Sequence, residues 1–138
     1  MTEFFIPMKP PTVTHQEKRV TLVNSVPHFY EGQALKAARA KLTAHLSRHT
    51  PQAEYNSPLS LVVKWCFPIK GAHRNGDYKT TKPDTDNLQK LLKDVMTDLH
   101  YWKDDALVCS EVCEKFWADL PGIYICIKEL PENGIKTG

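Results

Sequence analysis

Four aspartates and one lysine between residues 82 and 105 have the residue types and the spacing of a site that cleaves phosphodiesters. The first segment is Lys82-Pro83-Asp84-Thr85-Asp86-Asn87-Leu88-Gln89-Lys90, and the second is Lys103-Asp104-Asp105. Carboxylates two residues apart in an extended segment point to one side and can share a cation. A lysine one helical turn after the second acid can contact a phosphate oxygen or the leaving group.

These acids predict a divalent-metal site. Asp84, Asp86, Asp104 and Asp105 offer only oxygen ligands, which favours Mg²⁺ over zinc and allows Mn²⁺ as a substitute. Such an ion can activate water and stabilise the charge that develops during phosphodiester hydrolysis. A helix packed on a sheet between the two segments would return Asp104 and Asp105 to the start of that helix.

Each component also has a purely structural interpretation. Asp84 or Asp86 can cap the following helix, which contributes about 1 kcal/mol. Lys90 can be a surface partner of Asp86, which stabilises a helix by ~0.3–0.5 kcal/mol. Asp104 and Asp105 can form a solvated turn. Any one of these alternatives is favoured for an isolated motif, and only the combination favours the metal site.

The elements that must position these residues are predicted by hydrophobic periodicity. Two amphipathic helices are expected over 30–49 and 86–99. Strands are expected over 4–8, 57–69, 107–117 and 123–128, with a loop or weak strand over 12–27, a long loop over 70–81 and a hairpin joining the last two strands. The predicted fold class is α+β: a single compact domain, with a small mixed sheet and two main helices packed against it.

Length and composition set further limits. At 138 residues, with 41% hydrophobic and 25% charged, the chain is predicted to form one domain over 1–130 and a flexible C-terminal tail over 131–138. It has no basic N-terminal leader and no apolar run of about 18 residues, which predicts a soluble cytoplasmic protein. Its four cysteines lie in apolar segments without zinc-finger spacing and are predicted to be buried reduced thiols.

Charge is unevenly distributed although the net charge is only +2. Basic residues dominate 64–82 and acidic residues dominate 83–105, an arrangement suited to bringing a polyanion to a metal. The alternative interpretation is that the basic and the acidic stretch are each exposed to solvent and do not lie near one another. The candidate phosphate contacts are Lys70, Arg74, Lys79 and Lys82, with Lys18 and Arg19 in addition.

The motif resembles the RusA-type Holliday-junction resolvases. The resemblance rests on the Lys82–Lys90 segment with Asp94, on Lys103-Asp104-Asp105 followed by Val108, and on Lys115 and Pro121-Gly122, and it covers about residues 82–127. It implies a RusA-like fold, catalytic metal-binding roles for Asp84, Asp86 and Asp105, an essential role for Lys90, and an acidic neighbour in Asp104.

The resemblance also implies an activity and partners. The implied protein is a homodimer that acts on branched DNA and makes paired symmetric nicks at four-way junctions with Mg²⁺, in recombination and repair. Neither a membrane nor a small-molecule cofactor is implied. A phage or prophage origin is common in the family. A two-fold dimer agrees with the need for two cuts. The chain departs from the family pattern at Leu107, where the family usually has glutamine, which puts a hydrogen bond near the metal in question.

Two other functions remain open. The first is a catalytically weak or inactive junction-binding protein of the same fold, for which Leu107 is the only support. The second is a metal-dependent phosphohydrolase acting on RNA or a small nucleotide. Four scattered cations are more than one small phosphate group needs, which argues against a small substrate.

Overall fold

The computed structural model describes residues 1–14, 19–23, 26–30 and 32–135. Its helices are α1 (Gln33–Leu46) and α2 (Thr85–Asp98), with short 3-10 turns at Ser47–His49 and Asp105–Leu107. Its strands are β1 (Thr2–Pro7), β2 (Arg19–Val23), β3 (Val26–Tyr30), β4 (Leu59–Pro68), β5 (Val108–Ala118) and β6 (Gly122–Glu129).

Four strands form a mixed sheet in the order β1-β6-β4-β5. β6 is antiparallel to both β1 and β4, whereas β4 and β5 are parallel. A parallel pair needs a long crossover, and here the crossover contains the loop after β4 and helix α2. This crossover lays α2 along β5, with Thr85 at the start of the helix beside Cys113 in the middle of the strand.

The hairpin prediction for the last two strands was wrong. β5 and β6 do not pair, because β4 lies between them. The linker from Ala118 to Gly122 has to pass two strand spacings of about 4.8 Å each, and four residue steps can span ~13 Å. The Pro121-Gly122 turn signal was correct, but it carries the chain past the end of β4 instead of reversing it into a neighbour.

The stretch predicted as a loop or weak strand, 12–27, contains β2 and the first two residues of β3. β2 and β3 pair antiparallel as a separate two-stranded sheet. The first helix accordingly begins at Gln33, three residues after the predicted start at residue 30.

The core is formed by one face of β4 and one face of each helix, together with buried residues of β1 and β6. On β4, alternate residues are at most 3% exposed: Leu59, Leu61, Val63, Trp65 and Phe67. Helix α2 contributes a buried stripe at helical spacing: Leu88, Leu91, Leu92, Val95 and Met96. Helix α1 buries Leu35, Leu42 and Leu46 and contacts α2. The predicted α+β class with a small mixed sheet and two helices is confirmed.

The cysteines are free thiols, but they are not uniformly buried. Cys126 is buried as predicted, Cys66 and Cys113 are half-buried, and Cys109 is exposed, so the prediction was wrong for Cys109. Cys109 lies near the start of β5, an edge strand of the sheet, where the four consecutive residues 109–112 are all exposed. No helix in the described part of the chain is long and apolar enough to cross a membrane.

Candidate functional site

Helix α2 begins immediately after Asp84, so the first acidic pair lies at a helix N-terminus. Asp84 is the N-cap residue, with φ −74° and ψ 150°, and its backbone carbonyl accepts from the Leu88 amide at 3.1 Å. Its side chain makes no capping hydrogen bond. The carboxylates of Asp84 and Asp86 are exposed, and neither has a hydrogen-bond or ion-pair partner among the described residues. The capping interpretation therefore does not account for either side chain.

Two lysines hold the segment that precedes Asp84. The Lys115 ammonium donates to the carbonyls of Thr81 at 2.8 Å and Pro83 at 2.9 Å. The Lys79 ammonium donates to the Lys82 carbonyl at 2.7 Å and to the Thr81 hydroxyl. Since β5 carries Lys115, these bonds tie the approach to α2 directly to the sheet. They fix where the first acidic pair begins.

The second acidic pair is placed by a turn anchored in the core. Trp102 is fully buried, its indole N–H donates to the Thr97 hydroxyl at 2.7 Å, and its backbone forms a parallel bridge with Tyr55. The Asp104 carboxylate then accepts from the Ala106 amide at 2.8 Å and caps the short 3-10 turn. Asp105, the first residue of that turn, is exposed. Asp104 is thus partly engaged in local structure, whereas Asp105 is not.

The two segments meet at a surface depression of about 400 Å³, which we call the acidic depression. It contains Asp86, Lys90 and Asp105 of the predicted site. Its lining residues are Thr85, Asp86, Gln89, Lys90, Lys93, Asp94, Asp105, Glu111 and Cys113. Asp104 and Asp105 line an adjoining depression that shares Asp94 with it. Asp84 directly precedes the lining residue Thr85 in the chain, but it does not itself line the acidic depression.

Lys90 is exposed at the edge of the acidic depression. Its ammonium forms no ion pair within 4 Å with Asp86 or with any other residue that the structure describes. The interpretation of Lys90 as a helix-surface partner of Asp86 therefore fails. A cation at the edge of this depression without a carboxylate partner is available to an incoming anion.

The donor set of the acidic depression fits a hard divalent cation, because its carboxylates offer only oxygen. Across the described ranges, however, no three histidine, cysteine, aspartate or glutamate side chains converge closely enough to enclose an ion. Mg²⁺ does not require such a cage, since it usually keeps several waters and is bound through one or two carboxylates plus substrate phosphates. Asp86 and Asp105 are the two acids of the predicted metal set that the structure brings to one surface.

A buried hydrogen-bond chain supports the floor of this depression. The indole N–H of Trp65 donates to Gln89 Oε1 at 2.9 Å, and Gln89 Nε2 donates to a Glu111 carboxylate oxygen at 2.6 Å. Lys93 contacts the other Glu111 oxygen at 3.0 Å. Trp65 is fully buried and Gln89 is only 5% exposed. Glu111 is therefore held in one orientation and its charge is compensated.

Replacing Gln89 with leucine is expected to destabilise the protein by ~1–3 kcal/mol. The substitution leaves the indole N–H of Trp65 buried without an acceptor, which costs its full desolvation penalty. Urea unfolding measures the loss, with the exposed Gln52→Leu as the control. Equal midpoints for the two variants would show that the hydrogen-bond chain contributes nothing to stability.

Cys113 lies at the wall of the acidic depression with its thiol directed at the Thr85 carbonyl, 3.9 Å away. Burial raises the pKa of Cys113 to about 11. At pH 8 this thiol is almost entirely protonated, and only the thiolate reacts with alkylating agents. Iodoacetamide at pH 8 is expected to modify the exposed Cys109 well before Cys113. Peptide mass spectrometry over time tests the order, and modification of Cys113 first would contradict it.

The predicted phosphate contacts occupy different environments. Lys70, Arg74 and Lys82 are exposed, whereas Lys79 is 8% exposed and its ammonium donates to the protein's own backbone. Burial, reinforced by the positive charges of Lys115 and Lys70, lowers the pKa of Lys79. Lys18 lies outside the described residues, as does the side chain of Arg19. Lys79 therefore differs from the expected surface contact.

The loop that carries these residues is tethered to strand β5. The Gly76 amide donates to the Trp117 carbonyl at 2.8 Å, the Trp117 amide donates to the Asp77 carbonyl at 2.8 Å, and the Lys79 amide donates to the Lys115 carbonyl at 3.0 Å. These bonds satisfy part of the β5 edge that the sheet leaves unpaired. The long loop thus follows the sheet edge up to the start of the candidate site.

Glu111 is the site residue that the sequence analysis missed. The predicted acidic cluster ended at residue 105, whereas Glu111 lies in the strand predicted over 107–117. Side chains in a strand alternate between its two faces. That alternation places Glu111, Cys113 and Lys115 on one face of β5. The structure shows that Glu111 and Cys113 line the acidic depression and that Lys115 holds its entry segment.

A family match and the similarity to one relative both point to RusA endodeoxyribonucleases. The family described as "Endodeoxyribonuclease RusA" matches residues 7–128. The chain is 37% identical over 102 residues to "Crossover junction endodeoxyribonuclease rusA" of Lactococcus phage r1t, covering 72% of this chain and 76% of that protein. It is 28% identical over 129 residues to "Uncharacterized protein YqaN" of Bacillus subtilis (strain 168), covering 86% of this chain and 90% of that protein.

Proposed function

The chain belongs to the RusA family of endodeoxyribonucleases, and we propose that it resolves four-way DNA junctions by metal-dependent hydrolysis of phosphodiesters. The observation that carries this proposal is the meeting of Asp86, Lys90 and Asp105 at one acidic depression. These residues come from two segments separated by a whole helix, and capping does not occupy either carboxylate. The similarity to a phage crossover junction endodeoxyribonuclease supports the choice of branched DNA as substrate.

Asp86 and Asp105 are proposed to hold Mg²⁺, with Mn²⁺ as a substitute, and Asp84 completes the catalytic acids from the adjacent N-cap position. When bound, the ion supplies an activated water and stabilises charge on the phosphate. Asp104 contributes by fixing the turn that presents Asp105, as its bond to the Ala106 amide indicates. The roles of these acids differ although they lie side by side in sequence.

Lys90 is proposed to contact the scissile phosphate or the leaving oxygen. Its ammonium is exposed at the rim of the acidic depression and has no carboxylate partner within 4 Å among the described residues. A positive charge held where negative charge develops stabilises the transition state. The neighbouring Lys93 cannot do the same while it pairs with Glu111.

Junction resolution requires two cuts, and the chain presents a single candidate site within its described residues. A two-fold homodimer would place two such sites on one junction, which is the arrangement most common among soluble oligomers. We propose this dimer together with paired symmetric nicks. The single domain over 1–130 with a C-terminal tail is retained as part of the same proposal.

The departure at Leu107 does not favour an inactive binding protein. Leu107 lies in the 3-10 turn, half-buried, and packs against the hydrophobic core. It does not line the acidic depression. The side chain at this position therefore stabilises the turn beneath Asp105, and the carboxylates themselves remain on the surface.

A competition assay tests the substrate proposal. Cleavage of a labelled four-way junction is challenged with unlabelled junction, with linear duplex of the same arms, and with a mononucleotide. Only the junction is expected to compete at equimolar concentration. Equal competition by linear duplex would remove the preference for branched DNA, and inhibition by the mononucleotide would favour a small-molecule phosphohydrolase.

A further inference from the structure

A second concavity of about 540 Å³ lies next to the candidate site and is lined by lysines; we call it the lysine pocket. Its five lysines come from four parts of the chain. They are Lys9, Lys41, Lys70, Lys79 and Lys82. No acidic residue of the described chain lines this pocket. Two of its cations, Lys9 and Lys41, were not among the predicted phosphate contacts.

The charges of the lysine pocket are largely uncompensated. Among the described residues, the side-chain ammonium groups of Lys9, Lys41, Lys70 and Lys82 have no hydrogen-bond or ion-pair partner. Lys79 is buried beneath them, with its ammonium 4.6 Å from the Trp117 ring centroid and 5.2 Å from that of Phe67. Converging positive charges without counter-charges raise the local concentration of anions.

The pocket floor is built for a backbone and not for a base. Both Phe67 and Trp117 are almost fully buried. His73 stacks on Trp117 with ring centroids 4.7 Å apart, and Lys79 lies over the same ring. Base-stacking platforms need an open aromatic face, which these rings do not offer. Pro10, Pro11 and Met8 supply apolar surface against which a sugar can rest.

The lysine pocket and the acidic depression lie along one short segment. Thr81 and Lys82 line the pocket, whereas Thr85 and Asp86 line the depression. Thr85 follows Lys82 by three residue steps, so their Cα atoms are at most ~11 Å apart. The lysine bonds from Lys79 and Lys115 fix this segment to the sheet, so the distance between the two sites is set by the fold.

We propose that the lysine pocket binds the sugar–phosphate backbone of the DNA strand next to the phosphate that is cleaved. This inference rests on the proposed nuclease function and adds a second, non-catalytic contact to it. Lys9, Lys41, Lys70 and Lys82 neutralise the phosphates, and Lys79 provides a fixed charge beneath them. Because no base is read, the contact is independent of sequence.

The double variant Lys9→Ala/Lys41→Ala tests the proposal, with Lys36→Ala as the matched control. Lys36 is an exposed lysine on the same helix as Lys41, but it does not line the pocket. Binding to a four-way junction is measured in EDTA at several salt concentrations. The double variant is expected to bind at least ~10-fold more weakly than wild type, and the magnitude of the slope of log K against log[salt] is expected to fall by about 1.8, or about 0.9 for each lysine removed.

A second measurement separates backbone from base recognition. A junction with abasic sites flanking the cleavage position is expected to bind as tightly as the intact junction. Markedly weaker binding of the abasic junction would overturn the backbone assignment. If the double variant and Lys36→Ala had the same affinity and the same salt slope, the proposal that the lysine pocket binds DNA would be overturned.

Different results would contradict the proposed pocket and the proposed nuclease function. At saturating enzyme with Mg²⁺, Lys9→Ala/Lys41→Ala is expected to nick within about threefold of the wild-type rate, since no catalytic acid is changed. A wild-type protein that binds junctions with the predicted salt slope but never nicks them would refute the proposed function and leave the pocket standing. Loss of nicking at saturation in the double variant alone would contradict its non-catalytic role.

Discussion

Asp86→Asn and Asp105→Asn are each expected to reduce junction cleavage by at least ~10²–10³-fold. The charge stabilisation supplied by a catalytic metal amounts to several kcal/mol, and every ~1.4 kcal/mol is a factor of ten in rate. Asparagine keeps the size of each side chain and removes its charge. Because both residues are exposed and have no described partner, the fold should be unaffected. Single-turnover nicking of a labelled junction measures the loss.

DNA binding by these two variants is expected to be unchanged or tighter. Removing a carboxylate from the acidic depression reduces its repulsion of phosphates. Asp119→Asn is the matched control, since Asp119 is an exposed acid just after β5 and lines neither the acidic depression nor the adjoining one. Retained nicking by both variants, or equal losses in the control, would contradict the assignment of Asp86 and Asp105.

Lys90→Met is expected to lower the nicking rate by ~10²-fold with a small change in junction affinity. The magnitude is that of removing one preorganised electrostatic contact from a transition state. Lys90→Arg keeps the positive charge and should recover part of the rate. Single-turnover rates and binding in EDTA separate the two effects.

Lys36→Met provides the reference for loss of one exposed lysine that does not line the acidic depression. A Lys90→Met variant that binds weakly but nicks at the normal rate when saturated would make Lys90 a binding residue. The absence of an ion pair between Lys90 and Asp86 already argues that its charge is not needed for the helix.

Local pattern predicted most of the fold. The alternation along β4 and the helical stripe on α2 identified buried residues that the structure confirms, because burial of one face imposes those periods. Strand pairing was less predictable. β5 and β6 are joined by a turn signal and yet flank β4, a result of the parallel crossover through α2 that no local pattern encodes.

The candidate site was also predictable only in part, because some of its features depend on local sequence and others on tertiary packing. Asp86, Lys90 and Asp105 were identified from their spacing together with the family resemblance, and the structure brings them to one surface. The hydrogen bond that distinguishes Asp104 from Asp105 depends on the geometry of one turn. The burial of Lys79 and the contribution of Lys9 and Lys41 to a shared pocket depend on tertiary packing, so neither had a signal in the sequence.

Metal-dependent cleavage at the acidic depression is the central property proposed for this protein. One gel compares a synthetic four-way junction incubated with the wild-type protein in Mg²⁺, in EDTA, and with Asp105→Asn in Mg²⁺. Paired, symmetric nicks are predicted with wild type in Mg²⁺ only. A junction that is bound but uncut by the wild-type protein in Mg²⁺, or that is cut equally in EDTA, would contradict the account.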